Sequence, residues 1–189
     1  FNLANLAVAV GVGLALGLSP ARISAGLSQV EGVPGRLERL ASQRSSSAGT
    51  STAAAGPSVF IDYAHTPDAL ARVLSSLRTL SGGEKRRGRL FVVFGCGGDR
   101  DAGKRPQMGQ IAASEADLVL VTSDNPRGED PQAIIRMIVG GITGETLSGG
   151  RTLDRVERSA LTSAKLGYFV EPDRRAAIAT AIAAARAED

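Results

Sequence analysis

The sequence has no tryptophan, a single histidine, a single cysteine and only 4% aromatic residues. Each scarcity excludes something. The core must be aliphatic, built from Ala, Val, Ile and Leu. Few rings also leave little for a stacking platform that would hold single-stranded nucleic acid. A lone Cys96 forms no internal disulfide, so a reducing, cytoplasmic setting is the simplest expectation. Long apolar runs are missing too. Residues 1–21 are uncharged, but Asn2 and Asn5 interrupt them, and the run Leu6–Leu18 has 13 residues. About 20 are needed to span a bilayer. No basic region precedes the run, so it is not read as a secretory signal. It reads as a buried Ala/Leu/Val helix broken at Gly17 and Ser19-Pro20, and a chain that opens inside such a helix reads as cut from a longer one.

What is present fits a globular protein. With 189 residues, 43% hydrophobic and 22% charged, the chain holds one medium domain, or one domain with a short appendage. Net charge is +3, unevenly spread. Between Glu84 and Arg105 lie seven basic residues (Lys85, Arg86, Arg87, Arg89, Arg100, Lys104, Arg105) against three acidic ones. That window suits a phosphate, a carboxylate or nucleic acid, or else is a solvated basic loop.

Pro20 after Ser19 starts a short helix over residues 20–29, and residues 31–36 read as a turn and exit. Residues 41–58 are Ser, Ala, Gly and Thr with almost no large apolar side chain, and read as a flexible loop. A boundary is therefore expected between residues 30 and 58. From Val59 a rhythm begins. Val59–Ile61, Leu90–Phe94 and Leu118–Val121 read as strands starting about 30 residues apart, the βαβ spacing. Helices are expected from Thr66-Pro67, near Pro106–Ala116 and from Asp130-Pro131, with a fourth strand at Gly167–Val170 and a last helix over Arg174–Arg186. The predicted class is α/β: a Rossmann-like, mostly parallel sheet with flanking helices. Where the chain ends, the alternation calls for a further strand.

In a parallel sheet, ligands bind beyond the carboxyl ends of the strands. Three polar loops are expected to share that edge: Asp62-Tyr63-Ala64-His65, Gly95–Arg105, and Thr122–Arg127. Gly95, Gly97 and Gly98 either serve a tight turn or let backbone N–H groups approach an anion, with Arg100 and Lys104 adding charge. The spacing is not that of a Walker A loop. Asp124-Asn125-Pro126-Arg127 is either a turn or a set of a carboxylate, an amide and a guanidinium suited to a zwitterion. Cys96 reads as a small buried residue, not a nucleophile.

Four stretches carry a resemblance. They are Val33-Pro34-Gly35-Arg36 with Glu38, Asp62–Asp68, Phe94–Asp101 with Gly103-Lys104-Arg105-Pro106, and Asp124–Arg127. In order and spacing, over residues 1 to about 140, they resemble the Mur ligases, and among them the diaminopimelate-adding members. The resemblance implies a three-domain cytoplasmic enzyme, with a UDP-sugar-binding domain, a central ATPase domain and a Rossmann-like third domain. Residues 1–34 would be the last helices of the central domain, 35–58 a hinge and loop, and 59–189 most of the third domain.

The implied activity uses ATP and Mg2+ to phosphorylate the D-glutamate carboxyl of UDP-N-acetylmuramoyl-L-Ala-D-Glu; the amine of meso-diaminopimelate then attacks the acyl phosphate. By the same resemblance Arg100, Asp124, Asn125, Pro126 and Arg127 bind meso-diaminopimelate, with an arginine at 127 marking that specificity. Asp62 and His65 lie toward the nucleotide, and Arg36 sits at the hinge. No metal site, no membrane contact and a monomer are expected. The family's upstream phosphate loop, carbamylated lysine and UDP-binding domain, and its downstream Gly-Lys-Gly-His-Glu segment, are not in these residues, so the chain alone is expected to turn over nothing. A second reading is a non-catalytic member of the same fold that uses the basic window on nucleic acid.

Overall fold

The computed structural model describes residues 2–30, 32–40, 56–80, 88–145, 147 and 149–189. The chain opens with two helices, α1 (Asn2–Ala15) and α2 (Pro20–Leu27). Gly17, at a φ of 75°, ends α1 in the left-handed region, and the N–H of Leu18 donates back to the Gly13 carbonyl. Ser19 caps α2 as expected, its hydroxyl accepting from the N–H of Arg22. The lack of a side chain at Gly13 leaves room for Ile23, and there the two helices meet. The rest of α1 departs from the expected buried helix: Leu6, Val8, Val12 and Leu14 are exposed. Composition marks a helix as apolar without saying what covers it.

The first expected strand also differs. Val59–Ile61 (β2) is not in the parallel sheet; it pairs antiparallel with β1 (Glu38–Leu40), in the register Glu38↔Ile61 and Leu40↔Val59. Both strands have three residues, and Ile61 is exposed, the pattern of a small ribbon and not of a strand covered on both faces. The expected flexible tract lies outside the described residues over 41–55.

The parallel sheet has three strands in the order β3 (Phe91–Phe94), β4 (Leu118–Val121), β5 (Gly167–Val170). Phe91 pairs with Leu118, and Leu118 with Gly167. Leu-Val-Leu-Val at β4 is fully buried because both faces are covered. Val119 and Val121 join a core with residues of α3 (Pro67–Leu80), α4 (Lys104–Glu115) and α5 (Pro131–Thr143). Leu118 turns the other way, to Leu161 and to Ala184 of α6 (Arg174–Ala184). The helix over Pro106–Ala116 thus starts two residues earlier than expected. Asp130 caps α5 through the N–H groups of Gln132 and Ala133, Pro131 following it in the first turn.

Helices α4 and α5 touch backbone to backbone. A Cβ on Gly109 would stand 2.1 Å from the Ile138 carbonyl oxygen, and one on Gly141 1.9 Å from that of Pro106. Glycine at these two positions permits the crossing.

Candidate amino-acid-binding site

The loop 95–103 leaves β3 and enters α4, and the loop 122–130 leaves β4 and enters α5. Because β3 and β4 are neighbours, the two loops lie side by side at the carboxyl edge of the sheet. They are stitched together. The N–H of Gly98 donates to the Asn125 carbonyl at 2.9 Å, and that of Gly128 to Asp99 Oδ2 at 3.0 Å. Asp99 N–H donates to Glu129 Oε1 at 2.6 Å.

Of the two readings open for the glycines, a close turn or an anion cradle, this favours the close approach of chain to chain at Gly98 and Gly95. Gly98 has spent its N–H on the neighbouring loop, and a Cβ there would stand 1.8 Å from the Pro126 carbonyl oxygen. A Cβ on Gly95 would stand 2.3 Å from that of Thr122. The glycines let two loops approach each other.

The fused loops present the expected residues. Arg100, Asp124, Asn125 and Arg127 are exposed and Pro126 half-buried. Asn125 Oδ1 accepts from the backbone N–H of Arg127 at 3.3 Å, while Arg127 Nη1 donates to the Gly98 carbonyl at 2.6 Å. A Cβ on Gly97 would come within 2.8 Å of Arg127 Nη1, so Gly97 makes room for this guanidinium. Asp99 and Arg127 have φ of 49° and 50°, the left-handed region that non-glycine residues rarely enter. One carbonyl takes one Arg127 N–H, and a guanidinium has five. The arrangement suits an exposed anion such as a carboxylate.

Beneath the loops lies a feature the sequence reading missed. Arg105, given no role there beyond the basic window and the shared Gly103–Pro106 stretch, is 1% exposed and forks onto Glu129, with Nη1 to Oε2 and Nη2 to Oε1 both at 2.7 Å. That hydrogen bond, followed by the one from Asp99 N–H, holds the Glu129 carboxyl below its ordinary pKa. The pair is therefore ionised at neutral pH, and acid that protonates Glu129 weakens it. Arg105 and Glu129 stand 24 residues apart, so no short window of the sequence signals their pairing.

The loop after β2 reaches the same neighbourhood through one bond, from Lys104 Nζ to the His65 carbonyl at 3.0 Å. Asp62 is engaged with the turn that precedes β1: its Oδ2 accepts from the N–H of Leu37 at 2.8 Å, where Leu37 has a φ of 51°. Arg36 stands 5.4 Å over the Tyr63 ring, which is 5.0 Å from that of His65. His65 Nδ1 lies 3.0 Å from the Tyr63 carbonyl, which only accepts, so Nδ1 carries the proton.

The basic window is partly used up internally. Arg89 binds Asp189 and the carbonyls of Leu161, Thr162, Ala164 and Ala184, and Arg105 binds Glu129. Lys85, Arg86 and Arg87 lie outside the described residues.

Cys96 is buried against Met108, and burial pushes its thiol up to about 11, partly offset by Lys104 and Arg105. It stays protonated, as expected of a packing residue. At about pH 8, native Cys96 is expected to resist a thiol reagent and to react on unfolding; rapid labelling of the folded protein contradicts this. The folded state holds this proton more tightly than the unfolded one. The thiol's contribution to stability is thus complete at neutral pH and lost as pH rises toward about 11.

The fold and these loops define a Rossmann-like α/β domain whose polar loops meet at one sheet edge. Residues 35–189 match the family model described as Mur ligase, glutamate ligase domain, and the chain belongs to the Mur ligase family. It is 46% identical over its whole length to the UDP-N-acetylmuramoyl-L-alanyl-D-glutamate–2,6-diaminopimelate ligase of Gloeobacter violaceus. It is 47% identical to the protein of the same name from Parasynechococcus marenigrum. In each case it spans 32% of the relative, about a third of its length. A solved structure bearing that name is 31% identical, with a TM-score of 0.46, 97% of this chain covered and 38% of that one. Among the described residues, no helix is long and apolar enough to cross a membrane.

Proposed function

We propose that this chain is the amino-acid-binding part of an ATP-dependent ligase of peptidoglycan precursor synthesis. The ligase adds meso-2,6-diaminopimelate to UDP-N-acetylmuramoyl-L-Ala-D-Glu in the cytoplasm. The observation that carries the reading is the exposed set Asp124, Asn125 and Arg127 beside Arg100 on two interlocked loops. Diaminopimelate has two zwitterionic ends. Arg127 and Arg100 take a carboxylate, and Asp124 with Asn125 takes an ammonium. Such binding orients the other amine for attack on the acyl phosphate, with release of phosphate. The names of the relatives agree with this substrate.

ATP, when bound, supplies the phosphoryl group that activates the D-glutamate carboxyl. Arg36, Tyr63, His65 and Lys104 bring cations and aromatic rings to one side of the domain, which fits a nucleotide. Asp62 holds the hinge turn there. Among the described residues, no three His, Cys, Asp or Glu side chains gather as metal ligands, so we assign them no step with Mg2+. We place the boundary with the central ATPase domain near residue 34. The family match beginning at residue 35 and the uncovered apolar side chains of α1 support this.

The test is acceptor-dependent phosphate release by the full-length gene product, given ATP, magnesium and the UDP-dipeptide. Release with meso-diaminopimelate in preference to L-lysine is expected. Preference for lysine overturns the specificity, and activity with neither overturns the ligase. Salt-sensitive nucleic-acid binding would then favour the non-catalytic reading, which the internal use of Arg89 and Arg105 opposes.

A further inference from the structure

We infer that Arg105 and Glu129 are positioning residues for amino-acid binding, an ion pair that sets where the Arg127 guanidinium stands by clamping the two loops at one separation. The inference rests on the reading of Asp124–Arg127 given above. Arg105 comes from the first turn of α4 and Glu129 from the end of the other loop, so their fork ties the two loops directly. Arg105 Nη2 also reaches the Gly97 carbonyl at 3.3 Å, and Glu129 Oε1 also takes the Asp99 N–H. The pair therefore grips the residues on either side of Gly98, whose carbonyl is the seat of Arg127 Nη1.

Asp99 and Arg127 hold left-handed backbones, which persist only where their surroundings over-determine them. Glu129 supplies that constraint at Asp99. Stability alone is a poor reason for such a pair, since a buried ion pair is often no better than an apolar one of equal volume. A fork joining two loops at fixed length has a geometric use that apolar side chains lack. Neither side chain is placed to bind the amino acid itself. Arg105 is buried, and both Glu129 oxygens are engaged from within the protein.

The test uses the full-length gene product, with phosphate release measured for wild type, Glu129→Gln and Glu129→Asp. Glu129 is a third exposed, so its glutamine variant is expected to fold, and a melting curve checks this. In Glu129→Gln, the KM for meso-diaminopimelate is expected to rise about 10- to 100-fold, as when a partner that orients a binding group is lost. The kcat at saturation and the KM for ATP are expected to stay within about twofold. Glu129→Asp, with the charge on a shorter arm, restores part of the loss. A merely structural pair would lower the melting temperature and kcat with every KM unchanged, and that result overturns the inference. If the wild type releases no phosphate with meso-diaminopimelate or lysine, the proposed function fails and this inference with it. If the wild type is active and Glu129→Gln keeps its KM, only the inference fails.

Discussion

On the function proposed above, replacing Arg127 with alanine in the full-length gene product is expected to raise the KM for meso-diaminopimelate about thirtyfold or more. That is the roughly 2 to 5 kcal/mol lost when one partner of a close charge pair is removed. The guanidinium already stands on the Gly98 carbonyl, so its rotamer is fixed before the ligand arrives and the ordering cost at binding is small. Arg127→Lys keeps the charge but not the planar fork, and recovers only part of the loss. The KM for ATP should not follow. An unchanged KM for the amino acid in Arg127→Ala removes this residue from the site.

Gly98→Ala should do comparable damage by a different route. Its φ is not in the positive range, so the added methyl meets no backbone strain of its own. It meets the Pro126 carbonyl oxygen at 1.8 Å, and only parting the two loops relieves that overlap. A loss of about 1–3 kcal/mol of stability is expected, as for other overpacked sites. A displacement of about 1 Å at the loop also predicts a KM for the amino acid raised about a hundredfold. Gly26→Ala, whose Cβ would meet nothing within 4 Å, is the control. Melting curves and acceptor titrations of both variants decide it. A Gly98→Ala protein with wild-type affinity means that the loops tolerate separation.

Local signals made much of this fold readable. The strands at 91–94, 118–121 and 167–170, the Asp130-Pro131 cap and the α4 and α5 helices follow from apolar runs, turn residues and helix periodicity within short windows. The ribbon of β1 and β2 did not. Its partners are three residues long and 18 residues apart, and no short window contains the pairing. The exposed α1 failed for a related reason, because an apolar helix carries no record of its partner. At the site, Asp124–Arg127 was legible as a donor and acceptor set. The use of the glycines was not, since a residue without a side chain reads the same beside a ligand and beside another loop. Arg105 and Glu129, 24 residues apart, were hidden because each looks like an ordinary surface charge.

The crossing of α4 and α5 at Gly109 and Gly141 bears on how such a site can be transplanted. The helices that follow the two loops are locked at their backbones, so the loops inherit their spacing from glycines a turn or more away. Grafting Asp124–Arg127 onto another scaffold would carry the proposed recognition groups without their seat. The smallest portable unit is both loops with their two helices and the strand β4 between them, residues 95–143, and a change of specificity that respects this geometry has to recode side chains on a cassette whose frame stays as it is.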